Sequence, residues 1–147
     1  TDNDAAIIHP MENRWLYRDY VVRAYNTDKP WRQFLTEQLA GDEVVDWRNA
    51  PTYTPEIRDS LIATGFLRAS ADDSFERELN TPVTHFAVLQ RTSEILANNL
   101  LGLTVNCAKC HDHKYEPISQ KDYYRLISLV PKGGFFFDHH GRFAPRA

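Results

Sequence analysis

The sequence predicts an all-α domain of about five helices, and three observations carry that reading. Apolar residues recur at three- and four-residue spacing in several windows. Proline stands just inside candidate helix starts at Pro30, Pro55 and Pro82. No window shows the apolar–polar alternation of a half-buried strand.

Residues 1–12, Thr1 to Glu12, read as an extended arm, after which Asn13 is placed to cap a first helix. Trp15, Leu16, Tyr20, Val21, Ala24 and Tyr25 repeat at helical spacing, and the helix should stop near Asn26. A second helix is expected from Asp28 as cap and Pro30 in the first turn. It would present Trp31, Phe34, Leu35 and Leu39 on one face and end at Gly41. Asp42 to Tyr53 mixes charge with Val44, Val45 and Trp47 and reads as a loop. Thr54-Pro55-Glu56 opens a third helix with Ile57, Leu61 and Ile62 inward and Gly65 as its stop.

Ala69 to Asn80 is acidic and turn-like, and Thr81-Pro82 starts the longest helix, with Phe86, Leu89, Leu96, Leu100 and Leu103 on one stripe. Farther on, Pro117 blocks continuation and Ser119-Gln120-Lys121-Asp122 has the capping-box pattern with Asp in place of Glu. The last helix runs through Tyr123, Leu126, Ile127 and Val130 to Pro131, and the 132–147 tail has no period. The organisation expected is an arm over 1–12, one helical domain over 13–131 and a tail over 132–147.

With 147 residues, 42% hydrophobic and 25% charged, the chain can bury a core, which excludes a disordered segment. A net charge of -3 leaves no electrostatic footprint for nucleic acid. The longest apolar runs, Leu100 to Val105 and Leu126 to Val130, fall far short of the roughly 20 residues of a membrane span. The chain starts Thr1-Asp2-Asn3-Asp4, which suggests a mature product or a fragment of a longer protein.

Both cysteines lie in Cys107-Ala108-Lys109-Cys110-His111, the attachment motif of a c-type haem. Two thiols three apart reach the two vinyl groups on one porphyrin edge, and the adjacent imidazole then points at the iron. One covalently attached haem c, held by Cys107 and Cys110 with His111 as proximal ligand, is therefore expected. Three rivals stand beside it, one of them a chance placement of buried cysteines, which would not require a histidine to follow. A thioredoxin-like dithiol expects a βαβ context. A zinc site on Cys107, Cys110, His111 and His113 lacks the dozen or more residues that normally separate ligand pairs. Thioether attachment implies assembly in a periplasm or otherwise outside the cytoplasm.

The distal face of the iron has several claimants: His9, Met11, His85, His113, His139 and His140, or none. His9, in an arm anchored at Pro10, is favoured in a six-coordinate, low-spin iron. His113 is too close to His111 to reach the other side of the ring and reads as a hydrogen-bonded contact. The Pro117 carbonyl, or one nearby, is placed to accept the His111 Nδ1 proton. Arg91 and Arg125 are either partners of haem propionates or solvated helix arginines. Residues 1–107 carry a charge of -6 and residues 108–147 one of +3, so the haem end is basic. That charge suits an acidic redox partner. Loss of both cysteines should also lower stability sharply, if the haem fills a space the helices surround.

Several blocks resemble a known family, the planctomycete-type cytochrome c domain. They are Tyr17-Arg18-Asp19-Tyr20-Val21-Val22, Asp28-Lys29-Pro30, Glu37-Gln38-Leu39-Ala40-Gly41-Asp42 and Thr64-Gly65-Phe66, followed by Gly102-Leu103-Thr104-Val105 and Cys107 through Ile118, and closed by Asp122-Tyr123-Tyr124. The resemblance spans roughly residues 13 to 130, is weak from Asp72 to Asn99 and is absent after Pro131. It implies a haem-binding segment of a larger exported protein or assembly. The function expected is a c-type cytochrome domain passing single electrons to redox partner proteins. The first alternative is a haem-containing part of a larger exported oxidoreductase, with an open iron site or feeding a catalytic neighbour; the second is an assembly module in which the haem is a covalent core staple.

Overall fold

A computed structural model describes residues 14–69 and 81–130, with two short strands at 136–137 and 143–144. The expected N-terminal arm with Asn13, the acidic stretch after Ala69, the stop at Pro131 and the rest of the tail lie outside the described residues. Among the described residues there are five α-helices: α1 Arg14–Asn26, α2 Trp31–Ala40, α3 Pro55–Ala63, α4 Pro82–Leu96 and α5 Gln120–Leu129. The helical fold class expected from the sequence is thus the one observed. The one strand pairing among the described residues is a two-residue antiparallel ladder, Phe136 opposite Ala144 and Phe137 opposite Phe143. Among the described residues no helix is long and apolar enough to cross a membrane.

The helices fall into two compact units: α1 to α3 in the first, α4 and α5 in the second. In the first, Tyr20 and Ala24 of α1 pack with Phe34 of α2 and with Ile62 and Ala63 of α3, while Leu16, Tyr17 and Val21 flank them. Trp15, Tyr25 and Trp31 remain more than half exposed, so the aromatic face anticipated for α1 and α2 is only partly inward. Tyr25 and Trp31 instead flank Phe34, each ring centroid 5.7 Å away.

Asp28 does not cap α2. It lies in the left-handed region at φ 49, its N–H returned to the Tyr25 carbonyl at 3.1 Å, and so ends α1 instead. Pro30 is the N-cap of α2 and supplies no side-chain bond. Thr54 and Thr81 cap α3 and α4 as read, each accepting the N–H three residues on, with proline in the first turn.

A buried ionic cluster occupies the α1–α2 interface where an apolar face was expected. Glu37, 7% exposed, accepts from Tyr20 Oη at 2.8 Å, Lys29 Nζ at 2.5 Å and Gln33 Nε2 at 2.8 Å. The Lys29 ammonium also sits 5.0 Å from the Tyr20 ring centroid. Burial alone would raise the Glu37 carboxyl, but the bonds from Lys29, Tyr20 and Gln33 outweigh it and hold it below the ordinary carboxylate range. Burial pushes Tyr17 up to about 12, and its hydroxyl donates to Gln38 Oε1 at 2.5 Å.

Gly41 follows α2 for a steric reason. Its backbone is right-handed, at φ -58, but a Cβ there would lie 2.0 Å from the Ser60 carbonyl oxygen and 2.4 Å from that of Glu37. Only glycine lets α2 and α3 approach this closely. Gly41→Ala is expected to cost about 3 kcal/mol or more, since backbone rather than a flexible side chain must yield; urea unfolding of the two chains measures it.

In the second unit the stripe expected on α4 is displaced. Phe86 is 41% exposed, whereas Val88, Gln90, Thr92, Ser93 and Ala97 are buried. The Thr92 and Ser93 hydroxyls each return a bond of 2.9 Å to the carbonyl four residues back, which removes the penalty of burying them. Small side chains can then be innermost. The helix passes into a π-helical turn, Ala97–Leu101, and ends at Gly102 in the left-handed conformation, φ 65, so Leu103 lies beyond it. Ala97, Val105, Ala108, Tyr123 and Ile127 form this unit's core, with Leu89, Leu103, Ile118 and Leu126 against it.

Candidate functional site

The cysteine segment is a single 3-10 turn, Asn106–Lys109, with Cys110 at its C-cap. Cys107 lies in the turn and Cys110 closes it three residues on, its backbone N–H returned to the Cys107 carbonyl at 3.4 Å. Ala108, at 0% exposure, and Val105, at 3%, anchor the turn in the core; Cys107 and Cys110 are free and exposed. The unit therefore packs around Ala108 and Tyr123, and the thiols face outward.

His111 follows, also exposed, with Nδ1 2.7 Å from the Asp112 carbonyl oxygen. A carbonyl only accepts, so Nδ1 carries the proton and the neutral ring keeps its lone pair on Nε2. A neighbouring carbonyl was expected here. It is that of Asp112, because the chain turns back at once, and not that of Pro117.

His113 has a different task. Its Nδ1 accepts from the Glu116 N–H at 2.9 Å and the Tyr115 N–H at 3.3 Å, and the His113 backbone N–H donates to the Ile118 carbonyl at 2.8 Å. It is the hydrogen-bonded contact anticipated, closing the loop that leads to α5. With Nδ1 spent, it is a poor zinc partner for His111. Among the described residues no three His, Cys, Asp or Glu side chains converge on a metal position. Nor does the motif sit in a βαβ unit, since α4 precedes it and α5 follows.

Helix α5 straps the motif in place. Ser119 and Asp122 form the expected capping box, Ser119 Oγ accepting from the Asp122 N–H at 3.1 Å and Asp122 Oδ2 from the Ser119 N–H at 3.2 Å. The Ser119 hydroxyl and N–H, then Arg125, hold the Asp122 carboxyl below its ordinary value. Ahead of the cysteine–histidine pair, the Lys109 carbonyl accepts from Gln120 Nε2 at 3.0 Å and Tyr124 Oη at 3.2 Å. Behind it, Asp112 Oδ1 accepts the Gln120 backbone N–H at 2.8 Å. Lys109 Nζ reaches Gln90 Oε1 on α4 at 3.0 Å. Sequence reading missed Lys109, Asp112, Gln120 and Tyr124, because bonds to backbone groups leave no periodic trace.

Two buried donors of this unit, Tyr123 Oη and Gln90 Nε2, have no hydrogen-bond partner among the described residues. Burial, then the charges of Glu94, Tyr124 and Cys110, push Tyr123 up to about 12, so its phenol stays neutral. Arg125 is held by Asp122 at 3.1 Å. Arg91 and His85 are half-buried on α4 and engaged with their surroundings. His9, Met11, His139 and His140 lie outside the described residues.

The donor set fits a c-type haem: two free, exposed thiols three residues apart at one turn, then an exposed imidazole whose Nε2 keeps its lone pair. The profile of the PSCyt2 family, a protein of unknown function (DUF1549), matches residues 2–132. No curated protein and no solved structure gives a match.

Proposed function

We propose that this chain, which belongs to the PSCyt2 family of unknown function (DUF1549), carries single electrons through one covalently attached haem c. The observation that carries the reading is the outward presentation of Cys107, Cys110 and the His111 Nε2 from one backbone turn. Thioether bonds from the two sulfurs would hold the porphyrin edge, and His111 would supply the proximal nitrogen. The haem, when bound, supplies the one-electron couple of its iron.

The protein's own work is attachment, orientation and tuning. Ala108 and Val105 root the turn in the core, the Asp112 carbonyl sets the imidazole tautomer, and Gln120 and Tyr124 fix the Lys109 peptide. Along the segment exposed Lys109, Lys114 and Lys121 are matched by exposed Asp112, Glu116 and Asp122, so the case for an acidic redox partner rests on the +3 charge of residues 108–147 as a whole. Haem c chemistry places the chain in a periplasm or another exported setting, as part of a larger protein or assembly.

In this reading His9 would be the second residue to hold the iron, which would then be low-spin when ferric. Replacing His9 with Ala should convert the ferric optical and electron paramagnetic resonance spectra to high spin, whereas Met11→Ala should leave them unchanged. A high-spin spectrum in the unmodified protein, or loss of a sulfur-to-iron band only in Met11→Ala, would remove His9 from the distal position.

A further inference from the structure

We infer that Asp112 is a positioning residue for His111, its carboxylate coupling the first N–H of α5 to the tautomer and aim of the imidazole. The inference rests on the haem reading for its consequence at the iron, but its geometry belongs to the protein alone. Three links are in place. The Gln120 N–H donates to Asp112 Oδ1 at 2.8 Å; Asp112 joins that carboxylate to its own peptide carbonyl; and that carbonyl takes the His111 Nδ1 proton at 2.7 Å.

Burial cannot supply this order. His111 and Asp112 are both exposed, so hydrogen bonds set the conformation of the segment. The bond at the helix start is a strong one, since a carboxylate there meets an otherwise unsatisfied N–H and the positive end of the helix dipole. On the other side of the Cys110–His111 pair, the Lys109 carbonyl is fixed by Gln120 Nε2 and Tyr124 Oη. The dipeptide is thus held at both ends by one rigid helix. Groups that orient a metal-bound histidine through its second nitrogen typically change metal affinity by 10–100-fold when removed.

The helix start offers a clean dissection. Gln120 is the first residue of α5, where proline is tolerated because that N–H has no partner within the helix. Ser119 before it is extended at φ -79, ψ 158, the conformation a following proline demands. Gln120→Pro therefore deletes the N–H that binds Asp112 together with the Nε2 bond to Lys109, while Gln120→Ala deletes only the Nε2 bond. Asp112→Ala removes the carboxylate, and Asp112→Asn restores an acceptor oxygen.

Nitrogen NMR of the haem-free chain reads the tautomer directly. The unmodified chain, Gln120→Ala and Asp112→Asn should show His111 as the Nδ1–H form, whereas Asp112→Ala and Gln120→Pro should populate both tautomers. In the haem-loaded chain the last two should raise the midpoint potential. A ten-fold greater loss of ferric than of ferrous binding corresponds to about 59 mV for one electron. Folded Asp112→Ala and Gln120→Pro chains with the Nδ1–H tautomer intact would overturn the inference, as would a loaded Asp112→Ala chain with an unmoved potential. If the chain takes up no haem, the electron-transfer reading falls, and the tautomer result alone decides the positioning role.

Discussion

Replacing Cys107 and Cys110 together with Ala is expected to abolish covalent haem while leaving the helical fold in place. Both thiols are exposed and the buried residue of the turn is Ala108, so the haem-free variant should differ from the haem-free parent by about 0.5 kcal/mol or less. The sharp loss of stability that the sequence suggests is that of the haem itself, and it is read by comparing the haem-loaded parent with the double variant. Each single replacement should keep one thioether and so retain haem through denaturation. Haem staining after denaturing electrophoresis and thermal unfolding by circular dichroism separate the two effects. Haem retained by the double variant after denaturation would show that the cysteines are not the point of attachment.

The second large effect is expected in the first unit. Glu37→Ala leaves the Lys29 ammonium, only 17% exposed at its side chain, beside Tyr20 without its carboxylate. Breaking a buried pair from one side typically costs about 3–5 kcal/mol. The pH dependence follows from the direction of the Glu37 shift. Because its folded carboxyl is held below the ordinary value of 4.5, its contribution is fully present above that value and is lost as pH falls through the lower folded one. Urea unfolding at neutral pH and again in acid should therefore show the gap between parent and variant narrowing in acid. A gap that stays constant down to the acid limit would assign the loss to packing and not to the carboxylate.

The helices were legible because their signals are local. Thr54-Pro55 and Thr81-Pro82 place a cap and a preset φ side by side, and Ser119 with Asp122 writes a capping box into four residues. The faces were less legible. Periodicity finds leucines and aromatics, but Ser93 and Ala97 are the innermost positions of α4 and its π-helical turn because they are small. Glu37 is buried on α2 because Lys29, Gln33 and Tyr20 converge on it. Neither fact has a period in the sequence. At the site, the proposal for Cys107, Cys110 and His111 comes from residue type and spacing, whereas the hydrogen bonds of Asp112, Gln120 and Tyr124 around them run through backbone carbonyls and N–H groups that any residue carries. The same reasoning explains Asp28, which looks like a cap for α2 but adopts the left-handed turn that ends α1.

The haem reading meets its most direct measurement in the unmodified chain, produced in a cell that attaches haem in its periplasm, denatured, weighed by mass spectrometry and converted to its reduced pyridine haemochrome. Covalent attachment through Cys107 and Cys110 predicts a mass above the bare 17.0 kDa by one haem, the two-thioether c-type band, and no titratable thiol. A denatured chain at its bare mass with both thiols free would contradict it.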